Sequence, residues 1–245
     1  DDTLVLIQSI ESEKIRIIQS KWNDSMQDRG YVYGQQKMIA QFNCTGDWAF
    51  YVEGDEVYHE QDLEKIQSSM QAHVDDQNVE ALVVDFYHFY GNANSYLSSP
   101  GWYRSEARII KNSVRSYAPD GLFWLVLDSN KKGRYPKAKH TAVNCYHYGW
   151  IRSEDEMNLK SEKVQKYWSG KPVKIDYSQM DQSIIKQFSG THPAVVHDWL
   201  PRAEGVFQVD RKYTLTKKQK KHRIMLKLEK LFGLELSKKH FKLVK

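Results

Sequence analysis

The stretch Gly46-Asp-Trp-Ala-Phe-Tyr-Val-Glu-Gly-Asp-Glu56 reads as a short apolar strand that stops abruptly in three acids, Glu53, Asp55 and Glu56. Alternation along an extended chain puts Glu53 and Asp55 on one side, so two hard oxygen ligands can face a single divalent ion such as Mg²⁺ or Mn²⁺. Such a pair suits diphosphate chemistry, because a divalent ion offsets the charge of a phosphate-bearing substrate. The same acids also fit a solvated turn, and the surrounding sequence has to decide between the two readings.

Outward from this stretch, helical and extended periodicities alternate. A helix is expected over 30–43, with Val32, Ile39 and Phe42 on one face. Leu63, Ile66, Met70 and Val74 step at helical spacing and predict an amphipathic helix lying over the sheet. A strand is expected at 79–90. The Gly/Asn/Ser/Pro-rich segment 91–101 follows as a loop long enough to act as a lid or acceptor-binding segment. Further strands are expected near 107–111, 123–127 and 142–148, and a helix over 153–168. Upstream, Asp1-Asp-Thr3 is expected to cap a short helix reaching Ile10, and Lys14-Ile-Arg-Ile-Ile-Gln19 to form a strand. Strands alternating with helices, then mostly strands, imply an α/β sandwich with a mixed sheet.

The 245 residues can bury one sizeable core with an appendage. Aromatic residues make up 13%, with 15 Tyr and 7 Trp, so stacking surfaces for sugars or bases are plentiful. The longest apolar run, Leu122-Phe-Trp-Leu-Val-Leu127, is far too short to span a bilayer, and no signal-like segment opens the sequence. The expectation is a soluble, cytoplasmic protein, peripheral to a membrane at most. With Cys44 and Cys145 the only cysteines, neither a disulfide framework nor a zinc site is expected, and a reducing compartment fits.

Charge is unevenly spread. Residues 211–245 hold 13 Lys or Arg against Glu229 and Glu235, a net charge of +11, whereas the rest carries 23 basic and 29 acidic residues, a net of −6. Ile224, Leu228 and Leu231 fall at helical spacing, so a basic amphipathic helix is expected over about 216–232. Such a helix suits an anionic membrane surface, nucleic acid or an acidic partner; docking on the protein body is the plain alternative. A division at residue 200 follows, with a 1–200 domain and a basic, largely helical 201–245 extension.

The motifs resemble the nucleotide-sugar glycosyltransferases of family 2, which have the GT-A fold. The resemblance rests on Gly34-Gln-Gln-Lys-Met-Ile-Ala40, on Gly46-Asp-Trp48 and on Glu53-Gly-Asp-Glu56. It extends to Trp102-Tyr-Arg-Ser-Glu-Ala-Arg-Ile-Ile-Lys111, which is similar to the acceptor-side segment, and to Cys145-Tyr-His-Tyr-Gly-Trp150, similar to a strand end whose His supplies a second metal contact. Phe188-Ser-Gly-Thr-His-Pro-Ala194 is similar to a segment of one bacterial and viral-type branch. The resemblance covers roughly residues 1–200 and implies a GT-A-like, Rossmann-like α/β/α sandwich. In the family, a strand and helix that hold the base precede an acidic turn like Asp1-Asp-Thr3. The sequence begins at that turn, so a fragment, or a lost nucleotide half-site, is expected.

The resemblance implies transfer of a sugar from a nucleoside-diphosphate sugar to a glycan, lipid-linked or protein acceptor, with Mn²⁺ or Mg²⁺ as cofactor and no role for nucleic acid. Asp55 is the first expected metal ligand and His147 the second. Glu53 is expected at the metal through water or at the donor ribose, Lys37 at the diphosphate and Asp2 at the nucleoside. Arg104 and Arg108 are expected at the diphosphate or an acidic acceptor. An inverting enzyme needs a general base. Asp120, in Ala118-Pro-Asp-Gly121, is the first candidate, Glu56 the second and Asp128 the third, although Pro-Asp-Gly is also an ordinary turn signature. Two rivals remain, a metal-dependent nuclease or phosphotransferase, which would use the same clustered carboxylates, His and basic tail, and a noncatalytic glycosyltransferase-like scaffold, which the missing first strand favours.

Overall fold

The computed structural model describes residues 2–168, 174–200 and 209–244. It is an α/β protein with a mixed central sheet. The sheet is organised by two long strands, β3 (Ala81–Tyr90) and β9 (Lys137–Trp150), which run parallel. Along its other edge β3 pairs antiparallel first with β5 (Ser105–Lys111), which carries β1 (Trp48–Phe50), and then with β4 (Asn92–Leu97), which carries β10 (Ile185–Gln187). The far edge of β9 pairs with β11 (Lys242–Leu243) at its start and with β2 (Glu56–Tyr58) at its end. Ala81, Leu82, Val83 and Val84 of β3 are fully buried, as expected for a strand covered on both faces.

One face of the sheet is covered by α3 (Leu63–His73), whose Ile66 and Met70 pack with Val79, Leu82, Ile109 and Val143. On the other face, Met38 of α2 (Tyr31–Phe42) joins Ala81, Val83, Ile110, Trp124 and Phe241. That layer is completed by a separate three-stranded sheet, β6 (Ser116–Tyr117), β7 (Leu125–Leu127) and β8 (Gly133–Arg134). The expected strand at 123–127 therefore exists as β7 but lies outside the central sheet. Two further helices lie C-terminal to β9, α4 (Glu154–Gln165), opened by a Ser153/Glu156 capping box, and α5 (Lys217–Phe232), opened by one from Thr216 and Gln219.

Three expectations are corrected. Segment 91–101 is not an open loop, since it contains β4, whose Ala93, Ser95 and Leu97 face inward. Its Asn and Ser content hides a regular inward alternation. Residues 14–19 form no strand and stay exposed, because no neighbouring strand satisfies their backbone groups. The first helix, α1 (Thr3–Gln8), has Asp2 at its N-cap but no side-chain capping bond. Residue 1 and residues 201–208 of the expected extension lie outside the described residues. No helix among the described residues is long and apolar enough to cross a membrane.

Candidate functional site

The acidic turn is fixed from both sides. The register pairs Glu56 with His147, and the Tyr148 N–H donates to the Asp55 carbonyl at 2.8 Å. In the parallel pairing of β3 with β9, His88 stands opposite His147. Cross-strand neighbours share a face, so the sheet sets Glu56, His147 and His88 in a row. Asp55 reaches the same place from the turn, with its Oδ1 3.7 Å from His147 Nε2 and its Oδ2 accepting from Lys160 Nζ of α4 at 3.0 Å.

The two histidines determine each other's proton positions. His88 Nε2 lies 2.8 Å from the Tyr103 carbonyl, which can only accept, so that nitrogen carries the proton. His88 Nδ1 is then the acceptor at 3.0 Å from His147 Nδ1, which donates. This leaves His147 Nε2 as a bare lone pair directed at Asp55. Burial, above all, pushes the His147 pKa down to about 4 and that of His88 to about 3, so both rings are neutral near pH 7. Burial alone would raise the pKa of Asp55, but His147 and Lys160 outweigh it and hold the carboxyl below its usual range. With the imidazole neutral, the Lys160 ammonium carries that effect.

A carboxylate facing an imidazole lone pair is an arrangement that a cation completes. Gly149 keeps side chain away from the pair. A Cβ there would lie 2.5 Å from Asp55 Oδ2 and 2.8 Å from His147 Nε2, so any larger residue would crowd both atoms. Among the described residues no group of three or more His, Cys, Asp or Glu side chains is gathered as a metal cage. One carboxylate and one imidazole instead fit a hard ion that takes its remaining ligands from water and phosphate oxygens, the usual manner for Mg²⁺-type sites on phosphorylated substrates.

Asp55 lies where two cavities meet. The larger, about 640 Å³, is lined by Glu53, Asp55, Arg152 and Lys160 together with Trp22, Tyr33, Tyr51 and Trp168. The rings of Tyr33 and Trp168 are stacked at 6.2 Å, with Trp22 edge-on to Tyr33 at 5.3 Å. The smaller, about 260 Å³, shares Gly54, Asp55 and Arg152 and is closed by Val57, Tyr148, Val196 and Trp199.

Several of the expected site residues lie elsewhere. Arg108 is fully buried; its guanidinium bonds to Glu56 and, at 3.2 Å, to Glu53, and stands against the rings of Tyr51 and Phe86. Glu56 also accepts from the Glu53 N–H at 3.1 Å, and burial pushes its pKa up to about 7 against the pull of Arg108. Lys37 is buried with its ammonium 3.8 Å from the Trp124 ring and 4.2 Å from that of Tyr51; burial first, then Arg108, lowers its pKa to about 7. Arg104 donates to both oxygens of Glu229, at 2.9 and 2.8 Å, and so fastens α5. Asp120 accepts from the Leu122 N–H at 2.8 Å as a turn residue beside the larger cavity, and Asp2 is exposed next to the lining residue Thr3. Of the 102–111 segment, Trp102 lines a separate cavity of about 220 Å³ with Tyr90 and Trp150.

Sequence reasoning missed His88, Gly149, Arg152, Lys160 and the rings of Trp22, Tyr33 and Trp168. The only signal for His88 was its alternation along an apolar strand. Lys160 and Arg152 look in sequence like ordinary charges around a helix start. No protein-family model matches the chain, and no curated protein matches it significantly.

Proposed function

We propose that the protein transfers a sugar from a nucleoside-diphosphate sugar to an acceptor, with Mn²⁺ or Mg²⁺ held by Asp55 and His147. The observation that carries this reading is the Asp55 carboxylate facing the bare Nε2 of His147 beside Gly149, with Asp55 itself lining a cavity of aromatic rings that also holds Arg152 and Lys160. A volume of about 640 Å³ is in the range of small-molecule sites. Trp22, Tyr33 and Trp168 offer faces on which a base or sugar stacks. Arg152 and Lys160 offer cations to a diphosphate, and Lys160 exchanges its bond with Asp55 for one with phosphate when another cation takes up that carboxylate. When bound, the divalent ion neutralises the charge that develops on the departing diphosphate. His88 acts by positioning, since its bond to Tyr103 keeps the His147 Nε2 lone pair available. The smaller cavity supports acceptor entry at Asp55 through a second opening, with the Tyr148 and Trp199 rings there to meet a sugar face.

Calorimetry with UDP and GDP, with and without Mn²⁺, tests the reading. The protein should bind one of them only when Mn²⁺ is present, and Asp55→Asn should abolish that dependence while the fold is kept. Binding indifferent to the metal, or unchanged in the variant, contradicts it.

A further inference from the structure

The C-terminal helix docks by the side that the sequence does not suggest. Helix α5 is complete in itself, with its Thr216 capping box at one end and Gly233, at a left-handed φ of 63°, terminating the other. Its inner side is largely polar. Glu229 accepts from Arg104 and from the Leu236 N–H, Arg223 makes two bonds to Asp181, His222 lies against Gly101, and Leu226 packs at the edge of the Tyr90 and Tyr177 cluster.

The apolar stripe faces away from these contacts. At about 100° per residue, Ile224 and Leu231 fall opposite His222 and Glu229, and Lys217, Lys220 and Lys227 share that outer side. Leu231 is 73% exposed, Phe232 63%, Leu234 61% and Ile224 60%. These side chains stand in the most basic part of the chain, since residues 211–245 carry a net charge of +11.

We propose that this outer face of α5, continued by Phe232 and Leu234, docks on an anionic lipid bilayer. Ile224, Leu228 and Leu231 enter the boundary between headgroups and acyl chains, and the lysines reach the anionic headgroups. An apolar stripe bordered by lysines is the layout of helices that lie in a membrane interface. A second copy of the chain is disfavoured, because pairing these faces would bring together two regions of +11. A nucleic acid would use the lysines but leave the exposed Leu and Ile without a role. Being already folded and fastened to the body, the helix loses little conformational freedom on binding.

Cosedimentation of the full chain with vesicles tests this, independently of the transferase reading. The protein should bind phosphatidylcholine vesicles containing phosphatidylserine, bind pure phosphatidylcholine far less, and weaken as salt screens charges over about 8 Å at physiological ionic strength. The triple variant Lys217→Gln, Lys220→Gln, Lys227→Gln should lose about 100-fold in partitioning, at roughly fivefold per lysine. The triple variant Ile224→Ser, Leu231→Ser, Phe232→Ser changes exposed positions only, so its thermal unfolding should match the parent while its vesicle binding falls at least about tenfold. The proposal is overturned if the parent ignores anionic vesicles or if the folded serine variant binds them as well as the parent. Parent dimerisation abolished by the serine variant, without vesicle binding, would assign the face to a second copy. Salt-sensitive RNA binding untouched by the serine variant, again without vesicle binding, would assign it to nucleic acid.

Discussion

Asp55 and Glu56 are adjacent in the chain, yet one carboxylate lines two cavities and the other is sealed against Arg108. Around Glu56 the structure gathers Arg108, Glu53 and, nearby, the buried Lys37, a charged interior joined through one Arg108 nitrogen, with Lys37 Nζ and Arg108 Nε and Nη1 left without hydrogen-bond partners. Around Asp55 it gathers His147 and Lys160, with open volume beside them and a glycine where a side chain would intrude. The difference shows how one acidic turn supplies both a structural ion pair and a candidate ligand. Glu56 opens β2 and is drawn to Arg108, whereas Asp55 stands in the preceding turn and reaches His147 and Lys160, and what each carboxylate meets decides its role.

The largest effect should come from breaking the interior half. Arg108→Met leaves Glu56 buried without its cation, and urea unfolding should show a loss of about 3–5 kcal/mol. Adding Glu56→Gln should recover part of it. In the open half the corresponding change, Lys160→Met, should cost no more than about 1 kcal/mol, because that pair is partly exposed. Comparable losses in the two halves would erase the distinction.

A smaller effect of opposite sign is expected at Lys37. Its ordinary value is 10.5 and its value in the fold about 7. Between these the unfolded chain binds the extra proton, so the stability contributed by this residue is fully present above pH 10.5 and is lost as pH falls towards 7. Lys37→Met should flatten that part of the profile and raise stability at pH 7 by about 1–3 kcal/mol. Nucleotide binding should not change, since Lys37 is absent from the lining of the larger cavity. Weakened Mn²⁺-dependent binding in a stable Lys37→Met protein would instead join the interior cluster to the site.

The open half was more legible in sequence than the interior half. An apolar run ending in Glu-Gly-Asp-Glu marks a strand end by composition, and the 79–90 and 142–148 strands announce themselves by burial-prone residues. The interior half was read differently, with Lys37, Arg104 and Arg108 expected at a diphosphate. A lysine or arginine looks the same in sequence whether it faces solvent or is enclosed, and the acids that enclose Arg108 lie more than fifty positions away. The way α5 docks was hidden for the same reason. Ile224, Leu228 and Leu231 left a membrane surface and the protein body both open, and it is Arg104 and Asp181, remote in sequence, that draw in the opposite side. Lys160 and His88 acquire their roles only when β2, β3, β9 and α4 converge, and local periodicity carries no trace of that.

Gly149 separates the two halves most sharply, because the smallest possible addition there crowds both Asp55 and His147. Electron paramagnetic resonance of Mn²⁺ with UDP or GDP, recorded for the parent and for Gly149→Ala with matched thermal unfolding, reads that pair directly. The parent should immobilise one Mn²⁺ per chain in the presence of the nucleotide, and Gly149→Ala should weaken this by about tenfold or more, the cost of disturbing one ligand position. Equal Mn²⁺ binding by the two proteins, or none by the parent, would contradict the assignment of Asp55 and His147 as a metal site.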